Sequence, residues 1–151
     1  MTTRTVLLWI HIVAAAAWLG CNLALFALAP RFARRGGEVA AVFAESTAWL
    51  ARRYYNLAGT LLGVTGVLLV LNADYKWSSG FVAVGILTLV VGGALGIAVF
   101  APTGDALAEA HRADDARLVA ALSARTTRFL ALDTTLVVLT VLAMVQRWRA
   151  R

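Results

Sequence analysis

Residues 5–30 read TVLLWIHIVAAAAWLGCNLALFALAP, without a single Asp, Glu, Lys or Arg. A helix needs about 20 predominantly apolar residues to cross the hydrocarbon of a bilayer. The pattern recurs along the chain. Residues 54–73 and 77–104 are equally free of charge, and 129–146 carry one charged residue, Asp133. Four such stretches predict an all-α fold, a four-helix transmembrane bundle. The spans are expected at about 6–29, 56–71, 81–101 and 129–146, within one transmembrane domain of 151 residues.

Composition agrees with this reading. The chain is 61% hydrophobic with a mean hydropathy of +0.78, more apolar than a soluble domain of this length requires. The net charge of +6 comes from 13 Arg and one Lys. The arginines gather just outside the apolar stretches, where they meet lipid headgroups. The bilayer, not nucleic acid, is therefore the expected partner. The preference for Arg over Lys goes with a GC-rich bacterial genome, and the expected location of the spans is a bacterial plasma membrane. Cys21 is the one cysteine, so no disulfide forms within the chain.

Pro30 is expected to end span one, and Gly36-Gly37 to make a turn. Val39, Val42, Phe43, Trp49 and Leu50 then recur near helical spacing, which predicts an interfacial helix over 38–53 running into span two. Pro102 and Gly104 are expected to end span three, and 105–128 to form a second polar helix. These two connections would be cytoplasmic helical extensions of the bundle. They carry nine basic residues against five on the other side, which places both termini outside. Trp9, Tyr75, Trp77 and Trp148 read as headgroup anchors on the outer side, and Trp49, Tyr54 and Tyr55 on the inner side.

Few residues inside the spans can carry chemistry. His11, Ala15, Trp18 and Asn22 fall on one stripe of span one. Asp133, Thr140 and Met144 share a stripe of span four. The two spans run antiparallel, which brings Met144 to the depth of His11 and Asp133 towards the inner face. Ionisable groups within a membrane are rare and mark functional sites. His11 with Met144 can ligate haem b, and the same pair with Met1 can hold copper. Two copies of His11 meeting across a homo-oligomer would serve equally. His111 lies in the second connection, out of reach of His11, and reads as part of a solvated helix face. Asp133 is expected to pair with Arg53 or Arg52, with a proton relay as the alternative. Gly59 and Gly63, Gly92 and Gly96, and Ala16, Gly20 and Ala24 are spaced for close helix packing, inside the bundle or against other membrane subunits. Motifs for nucleotide binding, for serine or cysteine hydrolysis and for zinc proteolysis are absent from the sequence.

The run His11-Ile12-Val13-Ala14-Ala15-Ala16-Ala17-Trp18-Leu19-Gly20 resembles the opening of a broad set of bacterial membrane proteins. The set includes a family of small four-helix integral membrane proteins of unknown function, the copper-resistance D domain family and the membrane protoporphyrinogen oxidases. Thr65-Gly66-Val67-Leu68-Leu69 followed by Trp77 is similar to a segment of the unknown-function family. Span three opens Phe81-Val82-Ala83-Val84-Gly85, without the lysine that the oxidases share there. The resemblance implies a small bundle in which His11 matches the family histidine. Two functions follow as expectations. One is an accessory or assembly subunit of a larger membrane complex, such as a respiratory one. The other is a haem- or copper-binding redox protein that uses His11.

Overall fold

The computed structural model describes residues 2–72 and 75–149, with side chains as far as 146. The expectations placed on Met1, on the side chains of Arg147, Trp148 and Arg149, and on Arg151 lie outside the described residues. Six α-helices follow one another: α1 (Thr3–Ala33), α2 (Gly37–Arg52), α3 (Tyr54–Asn72), α4 (Gly80–Leu95), α5 (Ala101–Arg112) and α6 (Ala116–Arg149). A π-helical turn, Gly96–Phe100, joins α4 to α5. No strand occurs among the described residues.

Among those residues, four helical rods are long and apolar enough to cross a membrane: 3–33, 37–72, 80–112 and 116–146. Their outer surfaces are apolar. Leu57 is 63% exposed, Val90 63% and Ile97 74%. Such a surface suits lipid, where each backbone polar group must be satisfied within its own helix. The helices associate mainly as two pairs, α1 with α3 and α4 with α6, and the pairs meet through α1–α6 and α3–α4.

Neither proline ends its helix. Pro30 lies inside α1, which runs on to Ala33. Pro102 lies in the first turn of α5, directly after the π turn. A proline has no N–H for the carbonyl four residues back, here that of Ala98, and its ring crowds that carbonyl. The wider π turn takes up the misfit and the helix continues. The polar segment expected over 105–128 is thereby divided. Its first part prolongs span three as α5, and the rest opens α6 after a turn in which Asp114 has φ 53°.

Beyond the spans, α2 lies along α5. The interface is built of small residues, with Ala41, Ala44 and Ala48 of α2 and Ala108 of α5 all buried. A Cβ on Gly104 would stand 2.9 Å from Ala48 Cβ and 3.0 Å from the Ala44 carbonyl oxygen, so only glycine permits this approach. His111 is 9% exposed and buried with this face. This corrects the reading of a solvated histidine. The spacing of Gly104, Ala108 and His111 puts the ring on the packed side of α5. Outside the seam, Arg112 pairs with Glu38, Glu45 and Glu109, and Arg52 with Asp105. The Arg112 hydrogen bond holds the Glu38 carboxyl below its usual range, and the glutamates raise Arg112 in turn.

Candidate functional site

Two features occupy the inside of the bundle: a hydrogen-bonded polar cluster, and an apolar cavity on the side of the chain termini.

The cluster is centred on Asp133 of α6, which is 1% exposed. Its Oδ2 accepts from Trp18 Nε1 at 2.9 Å and from Asn22 Nδ2 at 2.8 Å. Asn22 is fully buried and fully used: its amide also donates to Thr134 Oγ1 at 3.1 Å, and its carbonyl oxygen accepts from the Tyr55 hydroxyl at 2.5 Å. Asp133 Oδ1 has no hydrogen-bond partner among the described residues. It lies 3.0 Å from where a Cβ on Gly92 would stand, so it faces the bare backbone of α4.

The expected pairing of Asp133 with Arg53 or Arg52 is therefore corrected. Arg52 reaches Asp105 instead, and Arg53 is exposed with no ion pair among the described residues. Asp133 points inward to α1, where two N–H donors replace a cation. Two supposed anchors also change role. Tyr55 meets Trp18 edge to face, with ring centroids 5.4 Å apart, and the Tyr54 hydroxyl donates to the Ala17 carbonyl at 3.0 Å. The signal for Tyr55 was present in the sequence. Tyr55, Ala58, Leu62 and Thr65 recur at helical spacing and form the inward face of α3.

Trp18 closes the cluster on one side and the cavity on the other. Its indole is wedged between α3 and α4, at glycines. A Cβ on Gly59 would be 3.2 Å from Cζ3, and one on Gly92 would be 2.6 Å from Cζ2. The glycines expected to serve close packing thus make room for this ring within the bundle. Ala16, Gly20 and Ala24 do not follow them: all three are exposed on the outside of α1.

The cavity measures about 530 Å³ and lies between α1, α3, α4 and α6. Its walls are mostly Leu, Val, Ile and Gly side chains. His11 and Met144 both line it, from different walls. His11 Cε1 lies 3.4 Å from the Cβ position of Gly66 in α3, and Met144 Cε lies 3.3 Å from that of Gly85 in α4. His11 Nδ1 is 2.9 Å from Thr65 Oγ1, whose own proton goes to the Leu61 carbonyl at 2.5 Å. The Thr65 oxygen is therefore the acceptor and Nδ1 carries a proton. In the neutral ring Nε2 then holds the lone pair, and the Leu62 carbonyl is a further backbone partner of the imidazole. Thr65 was missed in the sequence because a threonine in a span reads as a helix residue bonded to its own backbone.

The other polar walls are already engaged. Thr140 donates to the Leu136 carbonyl at 2.8 Å, and Thr88 bonds Thr140 at 2.7 Å. At the mouth stand Arg4, Tyr75 and Trp77. A shallower groove between α3 and α4 shares Trp18, Gly63, Val67 and Leu89 with the cavity. Among the described residues no group of three His, Cys, Asp or Glu side chains converges as a metal site.

The resemblance to the unknown-function membrane family is borne out by comparison, whereas the copper-resistance D and protoporphyrinogen oxidase families find no support there. No curated protein and no solved structure matches the chain. Residues 5–147 match the family described as "Predicted integral membrane protein (DUF2269)", and with nearly the whole chain covered, the protein belongs to that family.

Proposed function

We propose that this membrane protein binds an apolar cofactor in the cavity between its four helices, with His11 Nε2 as the recognition atom. The observation that carries the reading is the pinned imidazole. Thr65 fixes its tautomer and orientation, as partners of metal-bound histidines do, and the ring lines a cavity of ligand size. Haem b fits these residues: His11 supplies a nitrogen, Met144 lies on another wall, and the walls between are apolar. When bound there, haem would supply one-electron chemistry, with His11 and Met144 as the residues that would hold it. The chain would hold the ring and exclude water. Copper is supported less, since it would rest on two side chains. The basic residues favour a bacterial plasma membrane orientation with both termini outside.

A second reading is that of an accessory or assembly subunit of a larger membrane complex. The exposed Ala16, Gly20 and Ala24 face of α1 favours it, because small residues left outside the bundle suit another membrane helix.

The visible spectrum of the gently solubilised protein, oxidised and then reduced, separates the two. A Soret band that shifts on reduction and is lost in His11→Ala supports the cofactor reading. A colourless, metal-free protein that remains colourless after incubation with haemin sinks it. Co-purification with other membrane subunits then favours the second reading.

A further inference from the structure

The cavity's polar inventory says more about its occupant. Each wall donor deep in the cavity is already engaged inside the protein. His11 Nδ1 is bound to Thr65, Trp18 Nε1 to Asp133, Thr140 to Leu136 and Thr88 to Thr140. Among the described residues no carboxylate lines the cavity. Among the described residues the one charged lining residue is Arg4, at the mouth, and its guanidinium lies at a long 3.4 Å from the Tyr75 hydroxyl. Arg4 has no acidic partner among the described residues. At the other end of the bundle Arg52 and Arg112 are paired with carboxylates, while the exposed Arg53 has no ion pair among the described residues. A cation held at the rim of an apolar cavity, with guanidinium donors to spare, is complementary to an anionic group on an otherwise apolar molecule. The groove between α3 and α4 meets the same cavity wall at Trp18, Gly63, Val67 and Leu89, and its other lining includes the exposed Val64 and Leu68. That side faces lipid, so the bilayer is the source of the occupant.

We propose that the cavity takes an anionic amphiphile from the bilayer, with its acidic group on Arg4 and its apolar body lying along the walls past His11 towards Trp18. This rests on the reading of the cavity as a binding site, but not on haem. The acidic group is recognised at the mouth whatever the shape of the body behind it.

The test is photolabelling of the full chain in phosphatidylcholine vesicles. One probe is a 16-carbon fatty acid with a mid-chain diazirine, at a pH that keeps it ionised. The other is the corresponding alcohol. Labelled peptides are mapped by mass spectrometry. The acid is expected to label residues 62–70 and 81–89 at least about tenfold more efficiently than the alcohol, the selectivity of one charge-assisted hydrogen bond. Arg4→Gln should bring the ratio close to one, and Arg4→Lys should keep most of it. Equal labelling by acid and alcohol in the parent, or an unchanged ratio in Arg4→Gln, overturns the anion site while leaving an apolar cavity ligand standing. Gly85→Leu and Leu8→Trp fill the cavity from two walls, and either one that remains helical and monodisperse should lose labelling by both probes. If labelling persists in both variants, it comes from the lipid-facing surface, and both the anion site and the cavity reading fall.

Discussion

Alanine at position 92 would place a methyl carbon 2.6 Å from Trp18 Cζ2 and 3.0 Å from Asp133 Oδ1. Carbon atoms rest about 3.5–4.0 Å apart, so the indole would have to retreat by about 1 Å. On the far side the ring already lies against the bare backbone of Gly59 in α3, where an added Cβ would stand 3.2 Å from Cζ3, so little room is left for the retreat. Turning the ring instead would draw Nε1 away from Asp133 Oδ2, now at 2.9 Å. Overpacking of this kind costs about 1–3 kcal/mol, and losing the hydrogen bond adds about 1 kcal/mol. Gly92→Ala should therefore destabilise the bundle by about 2–4 kcal/mol. Reversible unfolding in mixed micelles by added dodecyl sulfate, followed by circular dichroism, measures this. The mechanism makes a sharper demand on the double variant. Once Trp18→Leu has removed the ring, the added methyl should cost less than about 0.5 kcal/mol. A Gly92→Ala protein within about 0.5 kcal/mol of the parent, or a penalty that persists undiminished in the Trp18→Leu background, refutes the wedged-indole account.

Asp133→Asn keeps an acceptor for Trp18 and Asn22 and should cost less than about 1 kcal/mol, whereas Asp133→Leu strands both donors and should cost about 2–4 kcal/mol in the same unfolding assay. Thr65→Val removes the partner of His11 Nδ1 and should weaken binding of a His11-ligated cofactor by about 10–100-fold, read from a haemin titration. Gly104→Ala should force α2 from α5, since Ala48 Cβ and the Ala44 carbonyl oxygen stand 2.9 and 3.0 Å from the new methyl. Cysteine pairs placed across that seam should then lose cross-linking efficiency. The depressed Glu38 carboxyl stabilises the α2–α5 contact at pH values above the unfolded glutamate range, about 4.3, and that contribution disappears as pH falls through the lower folded value. The acid-side loss of thermal stability should be shallower in Arg112→Gln, and an unchanged slope would remove Glu38 from the account.

The spans were legible because hydrocarbon imposes a single requirement, and residues 5–30, 54–73, 77–104 and 129–146 satisfy it by composition alone. The inward stripe of α1 was legible too, since His11, Trp18 and Asn22 are polar groups that share one face of a largely apolar span. What remained hidden was choice among partners. Asp133 had cations within sequence reach, yet the fold gives it indole and amide N–H groups, because Arg52 has a carboxylate of its own in α5. Pro102 looked like a stop, and a π turn carries the helix through it. The burial of His111 depended on how closely two alanine faces could approach, which no single helix reveals.

The break at Arg53 between α2 and α3 and the π turn between α4 and α5 lie side by side: a Cβ on Gly96 would stand 3.9 Å from the Ala51 carbonyl oxygen. Two neighbouring rods thus carry their irregular backbone at one level, with the Gly104 seam on one side of it and the cavity on the other. The pair is clamped where α2 meets α5, and at its far end α3 and α4 are tied to each other by the short connection between Asn72 and Gly80. The arm formed by α3 has 19 residues, about 28 Å at 1.5 Å per residue. A rotation of about 5° at the hinge line would displace its tip by about 2.5 Å over that length. The gap such a rotation would change is the one between α3 and α4, where the lipid-facing groove meets the cavity.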